Sequence, residues 1–95
     1  LRGERTTTAV DLYALGTLLH QLLTGLLPFA ELARDRVALQ RAILERVPPP
    51  ASAALQRAQD EGRVATTHPV APRALRGDLD AIVARCLRKD PDERY

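Results

Sequence analysis

Few residues in this chain offer chemistry. His20 and His68 are its two imidazoles, Cys86 is its one thiol, and Asp78, Asp80, Asp90, Asp92 and Glu93 are its densest group of carboxylates. Neither histidine has a second ligand at metal spacing. His20 sits in the polar gap of an otherwise apolar segment. A hydrogen-bonded structural histidine is the better reading there, because geometry is what makes a general base. Cys86 falls on an apolar face, where a free thiol behaves as a small hydrophobe. The acids fall at a helix start and in the turn after a helix, and read as caps and solvated turn residues. Gly16 and Gly25 are too far apart for a phosphate-cradling loop. Taken alone, the chain offers no catalytic, cofactor-binding or metal-binding residues.

The elements that would hold these residues are helical. Leu12, Leu15, Leu19, Leu22, Leu23 and Leu26 recur at spacings of three and four, widened by Ala14 and Leu18, and predict a central helix over about 8–25. Thr8 to Asp11 fits a capping box, with Asp in place of Glu or Gln. No charge lies between Asp11 and Glu31. That predicts a helix buried on most sides, inside a domain larger than this chain can build. Gly25 and Pro28 stop it. Leu39, Ile43 and Val47 predict an amphipathic helix over about 31–47, ended by Pro48-Pro49-Pro50. Residues 48–77 hold five of the seven prolines and read as a loop or insertion. Within it, Ser52 could cap a short helix to Asp60, and 62–77 reads as extended. Leu79, Ile82, Val83, Cys86 and Leu87 predict a third, amphipathic helix over 78–89, ended by Pro91.

Composition narrows the class further. The 95 residues carry 14 Lys+Arg against 12 Asp+Glu and are 45% hydrophobic but only 3% aromatic. One cysteine excludes a disulfide scaffold. No apolar run reaches the ~18–20 residues of a membrane helix, so no membrane contact is expected from this segment. A charge of +2 spread along the chain gives no reason to invoke nucleic acid. A core of Leu, Ala, Val and Ile favours helices over a sandwich or barrel. With no Met and a polar start, the chain reads as part of something longer.

At Asp11 the pattern becomes specific. Asp11-Leu12-Tyr13-Ala14-Leu15-Gly16, Leu18-Leu19, Leu22-Leu23, Thr24-Gly25 and Pro28-Phe29 resemble the central helix of the protein-kinase large lobe. Leu87, Asp90-Pro91 and Arg94-Tyr95 resemble the family's late Leu-x-x-Asp-Pro-x-x-Arg-Tyr motif. Gly77 to Val83 resembles the lead-in to that motif in bacterial serine/threonine kinases. The resemblance covers nearly the whole chain and about a third of a kinase domain. It implies an all-α fragment of a domain that is α+β when complete. Leu1 would fall just after the Ala-Pro-Glu of the activation segment, and Tyr95 before the last helix of the lobe.

Residue roles follow only from that resemblance. Asp11 matches the acid that anchors the catalytic loop through its backbone amides. Leu18 and Leu22 match supports of the hydrophobic column beneath the adenine pocket. Arg94 matches the arginine paired with the Glu of Ala-Pro-Glu, which is not in this chain, so Arg94 is expected to be unpaired or exposed. Gln21 matches a substrate-face position that is often Glu where basic substrates are preferred. Gly16, inside a helix, needs a packing reason, since Gly there costs ~1 kcal/mol against Ala.

The implied activity is transfer of the ATP γ-phosphate to Ser or Thr hydroxyls of proteins in the cytoplasm. ATP and Mg would bind the complete domain and neither would bind this fragment, which lacks the Gly-rich loop, the strand Lys and the catalytic-loop Asp and Asn. The expected partners are the upstream remainder of the domain and protein substrates. Two alternatives stand beside this reading: a pseudokinase-type scaffold, and an independent helical protein-interaction module.

Overall fold

The computed structural model describes residues 2–94, with side chains described for 11–90 and 92–94. Five α-helices follow one another: α1 Arg2–Thr24, α2 Arg36–Glu45, α3 Ala51–Asp60, α4 Pro72–Leu75 and α5 Asp78–Cys86. Short 3-10 turns lie at Ala30–Leu32 and Pro91–Glu93. No strand occurs among the described residues, so the fragment is all-α. Helix α1 lies against α5 and α3, and α3 lies against α4.

Helix α1 starts earlier than its expected cap. Its backbone is helical from Arg2, so Thr8 is interior to the helix; the Thr8 side chain, like Leu1 and Tyr95, lies outside the described residues. The stop is as expected. Gly25 takes φ 78°, and its N–H bonds the Gln21 carbonyl at 2.8 Å, a left-handed ending that favours glycine.

Helix α2 is shorter than the expected 31–47. Asp35 caps it, accepting from the Ala38 N–H at 3.0 Å, and residues 30–32 form a separate turn. The reading of 48–77 as loop or insertion is corrected, because two helices lie within it: α3 where a short helix was expected, and α4 inside the stretch read as extended. Ala51, Leu55 and Ala58 form a buried i, i+4, i+7 stripe on α3. Alanines carry two of those three positions, which hides the stripe from an apolar scan. Ala51, Leu55 and Leu75 make a closed core under Leu23, Val64 and Val70. Ser52 is not the cap; Pro50 holds that position and Ser52 sits in the first turn. Helix α5 ends at Cys86, not at residue 89, and Pro91 opens the following turn.

Burial on α1 corrects the expected picture most. Gly16, His20 and Thr24, at i, i+4 and i+8, are its buried residues among those described. The leucines on the opposite side are open: Leu15 is 46% exposed, Leu18 51% and Leu22 67%. The total accessible surface is 6634 Å², where a compact monomer of this mass exposes about 5,400 Å². The central helix is therefore only half covered by these 95 residues. No described helix is long and apolar enough to cross a membrane.

Candidate functional site

Helix α1 organises the site by presenting three faces. The first, Gly16-His20-Thr24, is the seam with its neighbours. A Cβ built on Gly16 would lie 2.6 Å from the Cys86 Cβ. That is closer than two carbons can approach, so glycine sets the separation of α1 and α5. Burial raises the Cys86 thiol above its ordinary value, partly offset by Arg94, and so keeps it protonated rather than nucleophilic.

His20 is 2% exposed. Its Nδ1–H donates to the Leu26 carbonyl at 2.6 Å. A carbonyl can only accept, which assigns the tautomer. The Thr24 hydroxyl donates to the His20 carbonyl at 2.6 Å and accepts from the Leu26 N–H at 3.0 Å. His68 donates from Nε2 to the Leu23 carbonyl at 3.0 Å. His68 thus satisfies a carbonyl in the last turn of α1 that a helix leaves unpaired, and His20 satisfies one in the segment just after it. Burial holds His20 below its ordinary pKa, against the opposing pull of its bond to Leu26 and of Asp80 and Glu31. The structural reading of His20 fits this geometry.

The second face, Tyr13-Thr17-Gln21, lines an apolar cavity of about 430 Å³ closed by Leu26, Phe29 and Ile43. Gln21 is exposed at its edge. Phe29 is buried at φ 61°, an uncommon conformation for a bulky residue. Cations flank its ring: the Lys89 Nζ is 5.6 Å from the centroid, and the Arg46 guanidinium carbon 5.9 Å. Both distances are within cation–π range.

The third face holds Asp11, Leu15, Leu18 and Leu22, at i, i+4, i+7 and i+11, and it is exposed throughout. The structure therefore brings Asp11, Leu18 and Leu22 onto one surface, away from Gln21 and Arg94.

Arg94 is neither fully exposed nor unpaired, which corrects that expectation. It is half-buried, its Nε donates to the Arg88 carbonyl at 2.9 Å, and its guanidinium carbon lies 5.0 Å from the Tyr13 ring centroid. It thereby closes the end of α5. Sequence reasoning passed over Lys89, whose ammonium nitrogen is shielded from solvent with no hydrogen-bond partner. One signal was available: Lys89 is the only lysine among 14 basic residues. No group of three or more His, Cys, Asp or Glu able to hold a metal ion occurs among the described residues.

Comparison with known proteins shows what this scaffold is similar to. The chain is 33% identical over 94 residues to the serine/threonine-protein kinase PknB of Mycobacterium tuberculosis, covering 99% of this chain and 12% of that protein. It is 36% identical over 97 residues to the serine/threonine-protein kinase PksC of Streptomyces coelicolor, covering 98% and 13%. To the serine/threonine-protein kinase Pkn1 of Myxococcus xanthus it is 38% identical over 95 residues, covering 98% and 11%. The chain is homologous to a segment of bacterial serine/threonine-protein kinases. It spans about an eighth of the length of these relatives. No family profile matches, and no solved structure does. The all-helical structure is consistent with the helical large-lobe portion of a kinase fold.

Proposed function

We propose that this segment is the scaffold portion of a kinase domain that transfers the ATP γ-phosphate to Ser or Thr hydroxyls of proteins in the cytoplasm. The alignment of 99% of the chain with such a kinase carries the reading. The complete domain would bind ATP and Mg. The residues of this chain do not fit either: there is no Gly-rich loop in the sequence and no ligand cluster among the described residues. The chain's own work is to position. Asp11, Leu18 and Leu22 share the uncovered face of α1. On this reading the preceding part of the domain covers that face, with Asp11 accepting catalytic-loop amides and the two leucines supporting the column beneath the nucleotide. Gln21, neutral at the edge of the apolar cavity, gives no charge to attract a basic substrate. Arg94 turns from Arg88 to the acid of the activation segment.

Labelled ATP with Mg and a Ser/Thr substrate tests this. The complete domain should incorporate phosphate, and the 95-residue chain alone should not. Transfer by the isolated chain would overturn the scaffold role. A folded complete domain with no transfer, still held together through the α1 face, would favour the pseudokinase scaffold.

A further inference from the structure

The hydrogen bonds of His20 account for one ring nitrogen and leave the other over. Both contacts of the ring, to the Leu26 carbonyl at 2.6 Å and the Thr24 hydroxyl at 3.3 Å, fall on Nδ1. With the proton on Nδ1, Nε2 carries a lone pair, and it makes no hydrogen bond among the described residues. The side chain is only 2% exposed. An acceptor held that far from bulk water is costly to leave without a donor.

His20 lines a cavity of about 220 Å³ between the end of α1, the turn at Ala30–Leu32 and α3. Leu27, Pro48 and Ala53 give it apolar walls. Three charged side chains also reach the lining: Glu31, Arg57 and Arg63. Both arginines are already paired, with the same Glu61 carboxylate, at 3.3 and 2.9 Å. Glu31 is exposed and has no ion pair or hydrogen bond among the described residues. Burial dominates the lowered His20 pKa, and the charges of Asp80 and Glu31 oppose it. Of those two acids, Asp80 is occupied by Ser52. The cavity therefore combines an unused lone pair, an unused carboxylate and apolar walls. A volume below the ~300 Å³ at which drug-sized sites begin suits a small ligand.

We propose that this cavity binds a primary ammonium group on a short aliphatic stem, which donates an N–H to His20 Nε2 and is balanced by Glu31. An ammonium has three donors and no acceptor, so it answers both unused groups at once. An anion would leave Nε2 without a donor and would meet arginines whose charge Glu61 already balances. A water could donate to Nε2 but would bring no charge to Glu31. The stem lies against the apolar walls. The site does not depend on the kinase reading: every residue in it belongs to this chain, and none has a role in the proposed phosphoryl transfer.

Butylammonium and butyltrimethylammonium are the probes. They share charge and stem, and only the first has an N–H to donate. Titrated into the 95-residue chain, butylammonium should move the His20 Nε2 nitrogen NMR signal saturably, and butyltrimethylammonium should leave it in place. Glu31→Gln should weaken butylammonium about threefold, as loss of an exposed ion pair does. His20→Asn keeps a donor for the Leu26 carbonyl and removes the acceptor, and should weaken binding about tenfold, the loss expected for one charge-assisted hydrogen bond. A signal that moves equally with both cations, or saturably with neither, would overturn the site and leave water as the partner of Nε2. An affinity unchanged in Glu31→Gln would overturn the ion pair. The two cations are compared on the unaltered chain, so that result stands even where His20→Asn fails to fold. A last arm separates the sources of the ammonium. Nα-acetyl-lysine methylamide carries the same head and stem on a peptide backbone: tighter binding than butylammonium assigns the site to a lysine of a partner protein, and weaker binding to a free amine.

Discussion

At the scale of single residues, two positions carry most of the specificity of α1. Gly16→Ala adds a methyl where the Cys86 Cβ leaves no room. The substitution gains about 1 kcal/mol of helix propensity, but it forces two packed backbones apart, and overpacking of that kind costs about 1–3 kcal/mol. The seam is set by main chain and Cβ atoms rather than by the end of a flexible side chain, so the clash should win. A lower denaturant midpoint for Gly16→Ala would show it; an unchanged or higher midpoint would mean that α5 yields. His20 predicts a pH dependence. Its folded pKa lies below the ordinary 6.5, so below that pH the unfolded chain binds the proton more readily. Stability is then full above about pH 6.5 and declines as pH falls toward the folded pKa. Melting measured between pH 8 and 5 should show this decline, and His20→Gln should lessen it.

At the scale of elements, α3 depends on a partner 28 residues away in sequence. Asp80, in the first turn of α5, accepts the Ser52 N–H at 2.9 Å and the Ser52 hydroxyl at 2.5 Å. A carboxylate on one helix therefore holds the first turn of another. Asp80→Ala should cost about 1–2 kcal/mol, as loss of an N-cap does, with faster amide exchange concentrated in α3. A uniform change in exchange across all helices would contradict a local capping role. This pairing also shows where sequence reading fails. Long apolar periodicities marked α1, α2 and α5, and Gly25 marked the stop of α1, because those signals are local. Helix α3 was legible only as a possible short helix with the wrong cap, because its buried stripe is mostly alanine and its stabilising carboxylate belongs to another helix. The site divides in the same way. Motif residues such as Asp11 and Arg94 are visible in the string. The unpartnered state of Lys89 arises only when Phe29, Tyr13 and Arg94 are folded around it.

At the scale of the whole molecule, the described helices form a slab. Its extents are 46 × 31 × 16 Å and its radius of gyration is 13.8 Å, against roughly 12.4 Å for a compact domain of this length. A helix with its side chains is about 10–12 Å across, so a slab this thin cannot enclose its central helix. The open Leu15-Leu18-Leu22 face should make the isolated chain melt with low cooperativity and bind hydrophobic dyes. Replacing Leu18 and Leu22 with Gln should reduce dye binding in the isolated chain. In the complete domain the same pair should destabilise by about 1.5–3 kcal/mol per leucine, the usual value of burying one. A sharp, reversible melt of the isolated chain would instead mark it as an independent helical module.

The contact between Gly16 and Cys86 also has a consequence in time. Helix α1 leaves the ribosome roughly 70 residues before the strip of α5 that it fits. At ordinary synthesis rates that interval lasts about 4–14 s. Throughout it, the seam that glycine keeps so narrow has nothing to close against, and a charge-free, leucine-rich helix waits in the open. The vulnerable moment for this segment is its birth, when a holding chaperone would find α1 before α5 exists.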